Sequence, residues 1–573
     1  MTAPSRAAAG SAVSGWSRLP ILSWVPGYDR AWLGADLVAG LTAAAVVIPK
    51  AMAYAAVAGL PVQVGLYTAF VPVVIYAILG SSRVLSASTT TTLAILAAAA
   101  LGEAVPDANG PRLLVAAGTL TVLVGAILVA ASVLRLGFVA NFISEPVLGG
   151  FKAAIGLVII VDQAPKLLGI HIHKAGFFRD ILHIVAGARE TSLPTLVLSI
   201  ALAALILGLM RWAPKVPAPL VAVALAIGAS AAFHLSAMGV KTVGAIPGGL
   251  PSPTWPDLGL LSTLWPGAVG IALMSFTETI AAGRAFAETE EPRPSPNREL
   301  FATGVACAVG GLLGAMPSGG GTTQTAVNRR VGARTQLAGL VTGLTSLATL
   351  LVLAPALSLM PEATLATIVV IYSAELVSMR DFRAIAAVRR TEFLWALTAF
   401  AGVVLLGTLR GIVVAVIVSV LSLAHQANNP AVYEVGRKPG TGVFRRRSAE
   451  HPGDEVFPGL CLLRMEGRIY FGNAQRVLDL LAPIAIASNA KVIVLDCSAV
   501  FDIEYSALKM LAEAEDRIRA QGAELWLAAL NPEVLPIVER SPLGKALGRE
   551  RMRLDLADAV ERSRGFVAGQ EAR

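Results

Sequence analysis

Long apolar runs and short polar breaks alternate along the first three quarters of the chain. Fourteen apolar segments can be drawn, near residues 36–56, 64–80, 87–102, 112–134, 141–161, 194–211, 217–235, 262–283, 299–315, 320–331, 336–356, 361–377, 392–408 and 410–427. A helix that crosses a bilayer needs about 20 mostly apolar residues. The third and tenth segments are too short for that, and the twelfth is marginal. The pattern changes after residue 428. Residues 429–454 are polar, contain Arg445-Arg446-Arg447, and read as a basic linker suited to an anionic lipid surface. Beyond it, Gly459–Met465 and Ile469–Tyr470 read as a first β pair, Ala474–Ile486 as an amphipathic helix and Lys491–Asp496 as a buried strand. Ser506–Gln521 then reads as a helix and Glu524–Ala529 as a strand. Strand and helix in alternation predict an α/β unit. The expected organisation is a tail at 1–30, disordered over its first 15 residues, a helical membrane domain at 31–428, the linker at 429–454, an α/β domain at 455–565 and a tail at 566–573.

Composition agrees with a polytopic membrane protein bearing a soluble piece. Of 573 residues, 55% are hydrophobic and 15% charged, against about 25% charged in soluble domains. The net charge of +8 does not call for nucleic acid, because much of it lies beside the apolar segments. With the N-terminus cytoplasmic, the inner loops hold 14 Lys and Arg and the outer loops 7, four of those in one long loop. That bias orients the chain with both termini in the cytoplasm of an inner-membrane protein. Losing one segment would break the alternation, so the charge pattern also supports fourteen. Fourteen divides into seven plus seven, and an odd-numbered repeat must be inverted relative to its copy. The three cysteines are scattered, the six histidines form no metal motif, and His171 and His173 read as solvated loop residues. No cofactor is expected. No nucleophile–base pair suggests an enzyme, and no P-loop suggests ATP-driven pumping.

The two short segments occupy equivalent places in the two halves. The tenth opens with Met316-Pro-Ser-Gly-Gly-Gly-Thr-Thr-Gln-Thr-Ala-Val-Asn328, the third with Ser86-Ala-Ser-Thr-Thr-Thr-Thr92. Each reads as a half-helix starting inside the membrane, where irregular backbone must be buried in protein or line a cavity. A helix start leaves about four N–H groups without partners and carries roughly half a positive charge. Glycines let a ligand approach those groups, and threonines add hydroxyl donors. Paired half-helix starts of this kind predict a transport site for an anion.

Several motifs in order resemble the sulfate permease (SulP, solute carrier 26) family over residues 25–565. Ile48-Pro49-Lys50-Ala51-Met52-Ala53-Tyr54-Ala55, with Ala58-Gly59-Leu60-Pro61 and Gly65-Leu66-Tyr67, is similar to I-P-Q-x-M-A-Y-A, A-G-L-P and G-L-Y. Phe276-Thr-Glu278-Thr-Ile-Ala281 is similar to F-x-E-x-I-A, and Thr325-Ala-Val-Asn328 with Gly332-Ala-Arg-Thr-Gln336 to T-A-V-N and G-A-R-T-Q. The C-terminal part resembles a STAS domain. The resemblance implies a core bundle of helices 1–4 and 8–11, a gate bundle of helices 5–7 and 12–14, an anion between half-helices 3 and 10, and a homodimer.

On that reading the substrate-binding residues are Lys50, Tyr54, Ser88, Thr89, Thr90, Gly320, Gly321, Thr322, Thr323 and Gln324. The family's usual Gln stands here as Lys50, and its usual Arg as Gln324. The site's cation would thus have moved from the tenth segment to the first; the bland alternative is a lysine that snorkels or stays neutral. Glu278 is the candidate coupling residue, by taking a proton or by pairing with Lys50, or else it braces its helix. Tyr54 follows Lys50 by four residues and shares its helical face. In the C-terminal domain Ser506 stands at a helix start as a possible regulatory hydroxyl, though Tyr505 and Ala507 depart from the D-S-S-G-like pattern of phosphorylated relatives. The expected function is secondary active transport of sulfate, bicarbonate or a dicarboxylate, by proton symport or exchange. The alternatives are an uncoupled anion channel or facilitator, and a STAS-bearing scaffold or sensor that does not transport.

Overall fold

The computed structural model describes residues 25–26, 28–106, 110–142, 144–172, 176–214, 216–246, 249–288, 291 and 293–571. The tail expected to be disordered, and His173, Lys174 and Lys215, lie outside the described residues. The chain divides into two units, one ending at Val420 and one beginning at Leu421.

The helices, in order, are α1 (Leu33–Val57), α2 (Val62–Leu79), α3 (Thr91–Ala104), α4 (Pro111–Val133), α5 (Glu145–Leu168), α6 (Phe177–Gly187), α7 (Leu193–Trp212), α8 (Ala218–Phe233), α9 (Leu261–Ala285), α10 (Pro296–Leu312), α11 (Thr322–Val331), α12 (Leu337–Leu357), α13 (Glu362–Ala374), α14 (Met379–Val388), α15 (Arg390–Leu406) and α16 (Thr408–Ala427). Every apolar segment drawn from the sequence is one of these helices. Among the described residues nine helical stretches are long and apolar enough to cross a membrane, and α3 and α8 are shorter apolar helices. Prolines in the first turn open α4, α5, α7, α8 and α10, where the missing N–H costs nothing. The ten-residue α11 rises only about 15 Å, half the apolar thickness of a bilayer.

Packing between helices reveals the repeat. Pairing each of the first seven membrane segments (α1–α5, α7, α8) with its copy (α9–α13, α15, α16) maps contacts onto contacts. α3 packs on α9 as α11 packs on α1, and α4 packs on α10 and α9 as α12 packs on α2 and α1. α2 against α10 and α5 against α13 map onto themselves, and α15 on α5 matches α7 on α13. One set of helices, α1–α4 with α9–α12, therefore forms one bundle, and α5, α7, α8, α13 and α15 gather in another. Close approach in the first relies on glycine. A Cβ on Gly125 would meet Ala308 N at 2.4 Å and Gly304 O at 2.6 Å, and one on Gly311 would meet Val122 N at 2.7 Å. Without a hydrophobic force between helices in lipid, such small-residue contacts are how membrane helices associate.

The apolar-run criterion passed over α6 and α14. Both are amphipathic, and each follows the fifth segment of its half, α5 or α13, so they too are related by the repeat. On α6, Phe177, Ile181 and Ile184 are half-buried, while Phe178, Leu182 and Val185 form an exposed apolar stripe at helical spacing. On α14, Phe382 meets Phe393 and Phe400 of α15 edge-to-face, with centroids 6.3 and 6.4 Å away. Both helices are apolar on one side only.

The second unit contains a sheet in the order β4-β3-β5-β6-β7-β8, formed by β3 (Val432–Arg437), β4 (Phe444–Arg446), β5 (Leu460–Glu466), β6 (Val492–Ala499), β7 (Glu524–Ala528) and β8 (Met552–Arg553). β5 to β8 are parallel; β3 is antiparallel to both β4 and β5. Strand alternation splits the core. Cys461, Leu463, Ile493, Leu495, Leu525 and Leu527 face α17 (Ala474–Ser488) and α18 (Tyr505–Ala520), while Leu462, Val494 and Trp526 face α21 (Leu556–Glu571). Between β7 and β8 run the short α19 (Leu535–Arg540) and α20 (Pro542–Leu547).

Two expectations are corrected here. Residues 432–437 and 444–446, expected within a linker, are strands of this sheet, and the arginine run is committed within the unit. Arg445 binds Asp454 at 2.8 Å, Arg447 binds Glu434 at 2.7 Å, and Arg446 stacks on Tyr433. The hydrogen bonds from Arg445 hold the Asp454 carboxyl below its usual range. The proposed pairing of 459–465 with 469–470 is also absent: β5 takes β3 and β6 as neighbours, and Ile469 bridges to Ile503.

Candidate anion site

The polar runs that open α3 and α11 cross each other. β1 (Ala87–Ser88) and β2 (Gly319–Gly320) pair antiparallel, with Ala87 opposite Gly320 and Ser88 opposite Gly319. This two-stranded ribbon is buried and sets the starts of the two half-helices beside each other. Gly321 N–H extends it by donating to Ser86 O at 3.1 Å. The ribbon lies flat on α9. Gly320 N–H donates to Thr279 Oγ1 at 2.9 Å, and Ser275 Oγ donates to Ser318 O at 2.6 Å.

The helix starts differ in their caps. Thr90 caps α3 by accepting from Leu93 N–H at 3.3 Å, and its own hydroxyl donates to Glu278 Oε2 at 2.7 Å. α11 begins after Gly321 with no side-chain cap, and its first backward bond runs from Thr325 N–H to Gly321 O at 3.1 Å. Gln324 folds back over Gly321, and its Nε2 donates to Ser88 Oγ at 2.8 Å, tying the half-helices together. Thr91 donates to Tyr54 OH at 2.8 Å, which links α1 to the first turn of α3. The hydroxyls of Ser86 and Thr89 are buried and have no hydrogen-bond partner among the described atoms. Buried polar groups in native proteins are nearly always satisfied; Ser86 and Thr89 share this lack of a partner with other buried hydroxyls, among them Thr303, Thr364 and Ser373.

The structure thus gathers Tyr54, Ser88, Thr89, Thr90, Glu278, Gly320, Gly321 and Gln324. Thr322 is exposed and Thr323 half-buried at the open end of α11. Lys50 is buried, but its Nζ stands over the Tyr372 ring, 3.4 Å from the centroid. Among the described ion pairs none joins Lys50 to Glu278: α9 sends Glu278 to Thr90, and α1 sends Lys50 to α13. Ser506 is exposed in the first turn of α18, which Glu504 precedes as N-cap. Among the described residues no group of His, Cys, Asp and Glu could hold a metal.

The residues around the site hold it in place. Asn328 Nδ2 donates to Val84 O at 3.0 Å, and Gln336 Nε2 donates to Ser82 O and Leu85 O at 2.8 and 2.9 Å, fixing the segment that leads into β1. Asp36 is buried and accepts from Arg334 N–H, Thr335 N–H and Thr335 Oγ1, pinning the start of α1 to the α11–α12 turn. Buried Glu299 accepts from Tyr76 OH at 2.6 Å and from Ser81 N–H and Oγ. Sequence reasoning missed Ser275, Thr279, Asp36, Glu299 and Tyr372, and read Thr91 only as one of a run of threonine donors. The signal for Asp36 and Glu299 was present as carboxylates at the starts of apolar segments. Ser275 and Thr279 share a helical face at i, i+4, whereas nothing local marks Tyr372.

Comparison with known proteins follows the same lines. The sulfate permease family pattern matches residues 33–399, and the STAS domain pattern matches residues 451–559. A probable sulfate transporter of Mycobacterium tuberculosis is 33% identical over 550 residues, covering 94% of this chain and 98% of that protein. The chloroplastic sulfate transporter 4.1 of Arabidopsis thaliana is 31% identical, covering 95% and 82%. The fold is that of the murine solute carrier 26 family member A9 anion transporter, solved in its inward-facing state, with TM-score 0.88, 21% identity and coverage of 98% and 96%. With both patterns in place and the relatives matched along nearly their whole length, the chain belongs to the sulfate permease family, as a helical transmembrane protein with a C-terminal STAS domain.

Proposed function

We propose that this protein is a secondary active transporter of a small anion, with sulfate the first substrate to test, and that it couples uptake to protons by alternating access. The pairing of β1 and β2 supports this reading: it brings two half-helix starts side by side, α11 without a side-chain cap and α3 with the buried Thr89 hydroxyl beside its cap. Oriented N–H groups and hydroxyls bind oxyanions through charge-assisted hydrogen bonds. The names of the relatives support sulfate.

Coupling follows from the Thr90–Glu278 bond. With Glu278 ionised, the Thr90 hydroxyl is spent on Oε2. When Glu278 takes a proton, its O–H donates to Thr90 Oγ1 instead. Thr90 keeps the Leu93 N–H as a second donor to its oxygen, since a hydroxyl oxygen has two lone pairs. Its own hydrogen is released and turns to the anion. One proton on Glu278 thereby adds one donor to the site. The same reading orients both termini to the cytoplasm of an inner membrane, supported by the Lys and Arg bias, and has two copies associating.

The test is uptake of labelled sulfate, bicarbonate and succinate into proteoliposomes, with an inward proton gradient and with it collapsed. Accumulation of sulfate only with the gradient is expected. Gradient-independent counterflow would replace symport by exchange or facilitation, and no uptake of any anion would overturn transport in favour of a scaffold.

A further inference from the structure

α1 presents two side chains one turn apart with different destinations. Tyr54 meets Thr91 in the first turn of α3, so this face of α1 turns toward the half-helix starts. Lys50, four residues earlier on the same face, reaches the other bundle, where its Nζ lies 3.4 Å from the centroid of Tyr372 on α13. Lys50 and Tyr54 are buried and Tyr372 is half-buried. Among the described ion pairs none includes Lys50, and its contact on α13 is the Tyr372 ring. Tyr54 and Lys50 thus join α1 to the first turn of α3 and to α13 respectively. Residues at i and i+4 stand about 5–6 Å apart at Cβ, and a lysine arm has four rotatable carbons. The ammonium therefore has the reach to leave the ring for the Thr91 end of α3.

We infer that the Lys50 ammonium is shared between two mutually exclusive partners, the Tyr372 ring and the anion at the starts of α3 and α11, so that anion binding loosens a contact between the two bundles. This rests on the transport reading above. The exclusivity is physical. A cation on a ring face is held by the negative side of the ring's quadrupole, and that same face repels an anion. To reach the half-helix starts Lys50 gives up the ring, and α13 then loses one of its contacts with α1. The exchange makes Tyr372 a specificity- and affinity-setting residue that need not touch substrate.

The experiment measures sulfate-concentration dependence of uptake by the full chain in proteoliposomes, for Tyr372→Phe and Tyr372→Leu, each with Lys50 and with Lys50→Gln. Removing the ring removes the competitor, so Tyr372→Leu lowers KM for sulfate by about 2- to 30-fold, the range of a cation–π contact expressed as an equilibrium ratio. Tyr372→Phe keeps the ring face and the KM. With Lys50→Gln, Tyr372→Leu has no effect on KM, because the coupling term of the cycle is gone. Where leucine does not fold, Tyr372→Met repeats the test with similar volume and no ring. A Tyr372→Leu chain with reduced maximal rate and thermal midpoint but unmoved KM, equally so with Lys50→Gln, overturns the inference and leaves a packing tyrosine. A wild-type chain that neither takes up nor is heat-stabilised by sulfate, bicarbonate or chloride overturns the transport reading and this inference together; wild-type uptake with no KM change in Tyr372→Leu overturns this inference alone.

Discussion

Adding one methyl group at adjacent positions of the ribbon should have opposite consequences. Neither Gly320 nor Gly321 is kept for a left-handed backbone: Gly321 has φ −84° and Gly320 is not among the positive-φ glycines. Both are kept for space. A Cβ on Gly320 would stand 2.6 Å from Thr279 Cα and 3.3 Å from Glu278 O. Those are backbone atoms of α9, so β2 or α9 must move. The move also breaks the Gly320 N–H to Thr279 Oγ1 bond of 2.9 Å. Overpacking costs about 1–3 kcal/mol and a lost buried hydrogen bond about 1 more, so Gly320→Ala should lose about 2–4 kcal/mol. A Cβ on Gly321 would meet Gln324 Nε2 at 1.7 Å, Cδ at 2.0 Å and Oε1 at 2.3 Å. All three belong to the free end of one side chain, which can turn away at the cost of its bond to Ser88. Gly321→Ala should therefore lose only about 1 kcal/mol and alter transport instead. Thermal midpoints of the detergent-solubilised chain separate the two, with uptake as the second readout. Gln324→Ala should remove the effect of Gly321→Ala and leave that of Gly320→Ala untouched. Equal destabilisation by the two methyl groups, or no relief by Gln324→Ala, would refute the reasoning.

Four other outcomes follow from the contacts. Asp36→Ala strips partners from two backbone N–H groups and the Thr335 hydroxyl; at about 1.5–3 kcal/mol for each bond to a charged group, it should lower the thermal midpoint far more than Asp36→Asn. Glu278→Gln should retain sulfate binding, read as heat stabilisation, while uptake loses its dependence on the proton gradient; an unchanged gradient dependence removes the coupling role. Lys50→Gln should weaken uptake, and adding Gln324→Arg should restore part of it, with no rescue in the double variant counting against a relocated cation. In the STAS domain, burial pushes the Cys497 thiol up from 9.0 to about 12, with Asp496 adding to the push. The folded thiol then holds its proton where the unfolded one has lost it, so this contribution to stability is intact below pH 9 and is lost as pH rises toward 12. A maleimide at pH 8–9 should label Cys497 only after denaturant is added.

The membrane part of the fold was legible because its signal is local. Runs of apolar residues and the shortness of two of them are properties of contiguous sequence, and each run became a helix. The start of α3 was readable for the same reason: Thr90 caps a residue three positions on. Where the determinant is a distant partner, the sequence is silent. Lys50 stands out as a charge in an apolar run, but Tyr372 is just another aromatic in one, and only folding brings them within 3.4 Å. Arg445, Arg446 and Arg447 read as a lipid-facing run because their partners Asp454, Tyr433 and Glu434 lie outside it. Antiparallel pairing of β3 with β4 converts that run into strand. α6 and α14 escaped because a search for continuous apolar length is blind to a helix that is apolar on one side only.

The repeat relates the two half-helices, yet their starts are not chemically equivalent, and in the transporter proposed above the difference divides the work of the site. α3 begins with a side-chain cap, so part of its amide capacity is already used, and the cap is itself bonded to a carboxylate. That end can respond to the charge on Glu278 but is the poorer bare-amide cradle. α11 begins with Gly321 and no side-chain cap. Its amides are open, and the nearest side chain, Gln324, is neutral and bound to Ser88. That end can bind an oxyanion by backbone alone but has no titratable group of its own. A strictly symmetric pair, with threonine caps on both helices or on neither, would combine binding with sensing at neither end. Exchanging the caps, with Gly321→Thr beside α11 and Thr90→Gly beside α3, should therefore separate proton dependence from anion affinity even in a chain that still folds.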